Sequence, residues 1–320
     1  MALICYHASH EQFTPSRLLA LAGAAERAGF KGLHSSDHFH PWSARQGQSG
    51  FAFAWVGAAM QSTSLPMSLV CAPGQRYHPA IIAQAVATLA EMFPGRFSIE
   101  VGSGEALNEC ITGEGWPQKT VREERLLECV DVMRRLLRGE LVNFDGHIKV
   151  ENARLWTLPE VMPPILGAAV TARTAAWVAE WADGLLTTAD KDLEEVREKV
   201  EAYRRAGGDM THVHLQYSFS YARKRQDAID GAWRQWRGHI AAQNWEDLRT
   251  PEDFDRLAKQ ASKEELLEET AMFTRIEDLL EQVRAMEAFG ATRLILHNMN
   301  TCHEDFIEDF GKARAARRQV

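Results

Sequence analysis

The chain has no uninterrupted apolar run near the ~18–20 residues that a bilayer-crossing helix needs, so no membrane span is expected. Cysteine is scarce. Cys5, Cys71, Cys110, Cys129 and Cys302 are scattered, odd in number and never spaced C-x-x-C, which argues against a disulfide framework and a zinc–thiolate site. Basic charge is short as well: 36 Lys plus Arg stand against 44 Asp plus Glu, a net charge of -8, and only Arg314, Arg317 and Arg318 at the tail cluster. Nucleic acid and membrane surfaces are therefore not expected partners. The start, M-A-L-I-C-Y-H-A-S-H-E-Q-F, lacks a basic n-region and meets His and Glu early, so it does not read as a signal peptide and a cytoplasmic location is expected. Repeats, low-complexity tracts and a splitting linker are also missing.

What is present is apolar content, 45% of residues, enough to bury a sizeable core and offset the entropy of ordering. Its distribution is an alternation. Short β-rich runs at 3–8, 32–38, 67–73, 97–101, 164–169, 184–189, 212–220 and 293–297 are separated by helical patterns at 15–28, 53–61, 79–92, 121–137, 171–181, 193–206 and 224–289. Pro15 and Pro79 suit first helical turns, and Gly29 and Pro94-Gly95 suit helix ends. Eight β-α units predict an α/β fold, a (β/α)8 TIM barrel in one domain over 1–320. Insertions are expected at about 139–162, where Asp145-Gly146 marks a hairpin turn, and at 237–275. A doubly wound sheet is the competing architecture, but Gly102-x-Gly104 is followed by Leu107 where a dinucleotide fingerprint needs a third glycine.

In a barrel, residues at the C-terminal ends of the strands converge on one mouth. Those ends carry His7, His10 and Glu11; Asp37, His38, His40 and Trp42; Arg76 and His78; Gly102 to Glu109; and His297 with Asn298. His38 titrates near neutrality and suits acid–base work, or is a histidine satisfied by a neighbour. Trp42 either flanks a reacting centre or covers the barrel end. Glu105 follows Gly102-Ser103-Gly104, where glycine lets the backbone approach a ligand. Asn108, Glu109 and Glu11 read equally as helix-start polar residues. His38 and His40 share the H-x-H spacing of metal-dependent barrel hydrolases, although His212 and His214 fall at the start of their strand and so at the wrong end of the barrel to complete a ligand set. A barrel that only binds a ligand is a third class.

The stretches A-S-H-E-Q-F (8–13), S-D-H-F-H-P-W (36–42), R-Y-H-P-A-I-I-A-Q (76–84) and G-S-G-E-A-L-N-E (102–109) together resemble the bacterial luciferase-like superfamily, in the branch of the F420-dependent glucose-6-phosphate dehydrogenases. The resemblance implies a homodimeric barrel with insertions and a flavin- or deazaflavin-dependent oxidoreductase acting on a small hydroxylated or carbonyl substrate. It implies His38 as the base, Trp42 beside the reacting centre, Glu105 as the acid near the ring and Glu11 as an auxiliary carboxylate. Asp37, Gly104 and Asn108 would contact the cofactor, with Val70, Cys71 and Ala72 forming a bulge behind the ring and Ala168, Ala169, Val170 and Thr171 near its tail. Lys191 and Arg256 fall near basic positions for a substrate phosphate.

Two departures matter. Gly167-Ala168-Ala169-Val170-Thr171 replaces a glycine pair of that branch, and Glu268 and Glu269 fall where a third basic residue is expected, which disfavours a phosphorylated sugar. The runs G-Q-R-Y-H-P (74–79) and L-H-N (296–298) are similar to a related branch from bacteria without the deazaflavin. FMN, which reacts with oxygen and permits monooxygenation, and coenzyme F420, an obligate hydride carrier, both stay open as cofactors.

Overall fold

The computed structural model describes residues 2–189, 191–240 and 245–317. Position 190, the stretch 241–244 within the second expected insertion, and the end of the tail with Arg318 lie outside the described residues.

The chain runs β1 (Leu3–Ala8), α1 (Pro15–Ala28), β2 (Gly32–Ser36), α2 (Ala52–Ser62), β3 (Met67–Cys71), α3 (Pro79–Met92), β4 (Phe97–Val101), α4 (Ala106–Glu109) and α5 (Lys119–Leu137). A hairpin of β5 (Val142–Asp145) and β6 (Lys149–Ala153) follows. Then come β7 (Ile165–Ala169), α6 (Ala172–Val178), β8 (Leu185–Ala189), α7 (Leu193–Arg205), β9 (Val213–Tyr221), α8 (Arg225–Ile240), α9 (Pro251–Leu257), α10 (Lys263–Glu269), β10 (Ala271–Phe273), α11 (Ile276–Glu287), β11 (Arg293–Asn298) and α12 (His303–Arg317).

Parallel pairing in the order β1-β2-β3-β4-β7-β8-β9-β11 returns from β11 to β1 and closes an eight-stranded barrel. Every strand connection therefore passes through a crossover, which places helices on the outside and turns apolar side chains both outward to the helices and inward to the barrel axis. The outer layer packs Leu33, Leu69, Ile99 and Leu215 against Leu18, Val56, Val86 and Met133. Local chemistry sets the ends: Thr14 caps α1, Pro15 opens it, and Gly29 closes it at φ 95°, a left-handed conformation that costs glycine little. The barrel interior is not purely apolar. Cys5, Ile295 and Leu186 pack with Val70 and Ala168, but His34, Glu100 and His214 are buried beside them.

The short α4 falls where Asn108 and Glu109 read as helix-start residues, whereas no pattern in the sequence announces the three-residue β10, which extends the sheet beside β9 at the mouth. The helical region expected over 224–289 is divided into α8, α9, α10 and α11. Among the described residues no helix is long and apolar enough to cross a membrane.

Candidate active site

The strand ends enclose a cavity of about 550 Å³, within the size range of cofactor and small-molecule sites. Glu11, Asp37, His38, Trp42, Val70, Cys71, Ala72, Gly104, Glu105, Asn108, Ala168, Ala169 and Val170 all line it. Five segments from five different strand ends thus converge, as the barrel geometry requires.

On one wall, Nδ1 of His38 is ion-paired with Glu11, whose other oxygen accepts a 2.6 Å hydrogen bond from the Ser9 hydroxyl. Burial pushes the Glu11 carboxyl up, but the His38 charge and the hydrogen bonds from His38 and Ser9 outweigh it and hold the group at about 2. The same pair acts oppositely on His38: burial lowers its pKa, and Glu11, with smaller help from Glu105 and Asp37, raises it above the ordinary value. With Nδ1 committed to Glu11, Nε2 is the nitrogen left for a proton in the cavity. Trp42 meets the His38 ring edge-on at 4.9 Å and is itself buttressed by Phe254 at 5.4 Å and Trp245 at 5.6 Å. The insertion after α8 therefore fixes the indole in place.

Glu105 lines the same cavity, and its charge interacts with that of His38. Burial raises its carboxyl to about 7, with Glu109, Glu11 and Glu246 adding to the rise and His38 opposing it. It can thus keep a proton near neutrality, which an exposed carboxyl cannot. Asn108, one helical turn on, donates to Glu105 at 3.3 Å, and its Oδ1 accepts from the backbone N–H of Phe39 at 2.9 Å and His40 at 3.3 Å. Its polar atoms tie α4 to the loop that presents His38. Asp37 is likewise engaged: Arg76 donates to its carboxylate at 2.8 Å and its carbonyl at 3.1 Å, while the Arg76 backbone donates to Glu109 at 2.8 Å.

Another part of the lining is built from small residues. Gly102 and Ala168 face each other closely enough that a Cβ on Gly102 would sit 3.5 Å from Ala168 Cβ. Gly104 has φ +81°, and a Cβ there would come within 2.9 Å of Glu109 Cγ and 3.1 Å of Ala72 Cβ, so a side chain is excluded by both conformation and space. The bulge expected around Val70 to Ala72 is not in the ladder. Pairing of β3 with β4 is unbroken through Cys71↔Val101, and the chain leaves the sheet only at Ala72.

The remaining expected residues lie apart. Thr171 does not line the cavity; it caps α6 by accepting from the Thr174 N–H at 3.2 Å. Arg256 is exposed and paired with Asp253, its side chain held on α9 rather than in the mouth. Lys191 borders a second, outer cavity of about 580 Å³ with Asp192, Glu195, Glu268 and Glu269. Its ammonium donates to the carbonyls of Leu267 and Glu268 at 3.0 Å each. His40 packs on Phe39 and does not line the main cavity, so the H-x-H pair does not converge. Among the described residues no group of three or more His, Cys, Asp or Glu is arranged to hold a metal ion.

The luciferase-like monooxygenase family model matches residues 3–293. The chain belongs to the luciferase-like monooxygenase family. This luciferase-like chain is an oxidoreductase by that membership. It is 32% identical over 318 residues to the F420-dependent glucose-6-phosphate dehydrogenase of Tsukamurella paurometabola, covering 95% of this chain and 94% of the relative. It is 31% identical over 325 residues to the enzyme of the same name from Mycobacterium avium, covering 98% and 96%. Among solved structures, an F420-dependent secondary alcohol dehydrogenase in complex with an F420–acetone adduct superposes with TM-score 0.88 at 30% identity, covering 98% of both chains.

Some roles in the site escape sequence reasoning. Ser9 and the particular contacts of Arg76 and Asn108, the first placed at the mouth by its strand end and the second read as a cofactor contact, act through loop geometry that spacing does not encode. Glu100 carried one usable signal, an acidic residue inside the apolar run F-S-I-E-V, in a strand buried on both faces.

Proposed function

We propose that this chain catalyses reversible hydride transfer between a small secondary alcohol, or its ketone, and coenzyme F420 bound in the main cavity. The observation that carries the reading is that a carboxylate-backed imidazole, His38–Glu11, and a proton-holding carboxyl, Glu105, line one cavity. The F420-dependent relatives and structural neighbour support the cofactor.

The residues fit such a group. Gly102, Ala168, Val70, Cys71 and Ala72 give the cavity a stretch of small and apolar lining that leaves room for a ring, and Asp37, Gly104, Asn108, Ala169 and Val170 complete its surround. When bound there, the deazaflavin would supply a hydride acceptor in one direction and a donor in the other. His38 Nε2 takes the hydroxyl proton as the hydride leaves, and Glu11 stabilises the imidazolium that results. Trp42 walls the space beside His38 and excludes water. Glu105 presents its proton where negative charge develops on the bound group.

The outer cavity supports a neutral substrate over a phosphorylated one. Asp192, Glu195, Glu268 and Glu269 are among its lining residues, and its single lysine is held by two carbonyls. We further propose one barrel domain over 1–320 with insertions at 139–162 and 237–275. A homodimer is supported by the apolar side chains left exposed at α2 and α3, Phe51, Ile81 and Met92. Free cysteines accord with a reducing, cytoplasmic setting.

Purified protein titrated separately with F420 and with FMN, then supplied anaerobically with propan-2-ol or glucose 6-phosphate, tests the reading. F420 binding and its reduction by propan-2-ol, with little or none by glucose 6-phosphate, is the expected result. Binding of FMN alone, with oxygen consumption, contradicts it and assigns a monooxygenase.

A further inference from the structure

Beneath the cavity, inside the barrel, four side chains from four strands form one hydrogen-bonded chain. His214 on β9 contacts Glu100 on β4 through Nδ1 at 2.5 Å. The second Glu100 oxygen meets His34 Nε2 on β2 at 2.8 Å, and His34 Nδ1 meets His7 Nδ1 on β1 at 2.8 Å. His7 lines the floor of the cavity. His34 and Glu100 are fully buried, and His214 and His7 nearly so. No hydrogen bond among the described residues joins this stack to the His38–Glu11 pair.

A barrel core needs none of this. Apolar residues would fill the same volume without the cost of burying a carboxylate, which is tolerated only when paired and fully hydrogen-bonded. The bonds here dictate proton positions. A carboxylate is an acceptor only, so both imidazoles point an N–H at Glu100. With its Nε2 proton committed, neutral His34 has a bare Nδ1, which accepts from His7 Nδ1–H and leaves His7 Nε2 bare toward the cavity. We propose that His7, His34 and Glu100 form a second proton relay, opening on the floor of the cavity and independent of His38. A proton arriving at His7 Nε2 releases the Nδ1 proton of His7 to His34 Nδ1. The new N–H bond on His34 replaces the one broken on His7, and the positive charge rests on His34 against Glu100. The reverse transfer returns the proton. The partner at the floor is an N–H or O–H acid on the bound molecule, so use of the relay in turnover rests on the oxidoreductase reading, whereas its existence does not. His7 is the residue in contact; His34 and Glu100 are positioning residues.

The surrounding charges are consistent with this. Burial, with His297, His34, His303 and His10, holds His7 well below the ordinary histidine value, so an uptaken proton is passed on rather than kept. Burial and the nearby Arg293 keep His214 neutral, at about 4, against the pull of Glu100. Burial pushes Glu100 up, but His34 and His214 hold it far below the carboxylate range. Cys5 and Cys71 also face Glu100, and burial keeps both thiols protonated.

The test is ¹⁵N NMR of the imidazoles in the protein without any cofactor, with signals assigned through His7→Gln and His34→Gln. The expected result, read from tautomer-dependent shifts and from couplings carried across hydrogen bonds, is an N–H at Nε2 and a bare Nδ1 on neutral His34, an N–H at Nδ1 and a bare Nε2 on His7, and a coupling between the two Nδ1 atoms. The opposite tautomer on either ring, or no coupling between the two Nδ1 atoms, overturns the proposal. In His34→Gln, His7 should lose its fixed tautomer, and a His7 signal unchanged by that substitution overturns the relay. Failure to bind F420 would leave these signals untouched and bears only on the function.

Discussion

Glu11 and Glu105 flank the same imidazole and titrate in opposite senses because only one of them is hydrogen-bonded to it. The folded-state value of Glu105, about 7, lies above that of an exposed glutamate. Its contribution to stability is therefore complete below about pH 4.5 and is lost as pH rises through about 7. Urea unfolding should show Glu105→Gln losing this dependence, with wild type less stable than the variant at about pH 8 by on the order of 2–3 kcal/mol; equal slopes would remove the buried-acid assignment. Glu11, held at about 2, has the reverse sign, so its contribution is present above about pH 4.5 and lost as pH falls toward 2. Because Glu11 also raises His38, Glu11→Gln should move the acidic limb of the pH–rate profile for alcohol oxidation to lower pH. An unmoved limb would mean that another group is the base.

At the scale of elements, the site depends on α4 clamping the loop after β2. Asn108→Ala removes the one oxygen that accepts from the Phe39 and His40 N–H groups, a loss of about 0.5–1.5 kcal/mol for part-buried hydrogen bonds. Turnover should fall by more than the stability change explains, since His38 loses its fixed position, and cofactor affinity should weaken. An unchanged dissociation constant and rate would assign Asn108 no part in the site. This clamp was not readable in the sequence, where A-L-N-E looks like an ordinary helix start. The large elements were legible for clear reasons. Thr14-Pro15 and Gly29 punctuate α1, His78-Pro79 opens α3 with the histidine accepting from Ala80 N–H at 3.2 Å, and Asp145-Gly146 turns the hairpin. The 237–275 insertion was visible as extra length, but its packing of Phe254 and Trp245 onto Trp42 is a tertiary contact that no local pattern announces.

Across the whole molecule, the barrel was legible because eight short apolar runs at regular helical spacing allow few closed arrangements. The convergence of residues 11, 38, 42 and 105 followed from it. The interior histidine–glutamate stack did not, since each member looks like an isolated polar residue in its own strand and only closure brings them together. Charge distribution is also a property of the whole. Arg256 is turned onto Asp253 and Lys191 is held by two carbonyls among acids, so the two cations expected to meet a phosphate are engaged elsewhere, while of the cations that line the main cavity Arg122 is paired with Glu246 and Lys199 with Glu195. The ratio of kcat/KM for propan-2-ol to that for glucose 6-phosphate should exceed about tenfold, the effect of roughly 1.4 kcal/mol; a preference for the phosphate would require a different entry route.

The central claim is that His38 removes the substrate proton while F420 occupies the same cavity. Its most direct test is anaerobic stopped-flow measurement of F420 reduction by propan-2-ol in wild type and His38→Ala at saturating cofactor. The account predicts a first-order rate in wild type that rises with pH through the raised His38 pKa, and a loss of ~10²- to 10⁴-fold in the variant with F420 still bound. A His38→Ala enzyme that reduces F420 at the wild-type rate, with the same pH dependence, would contradict it.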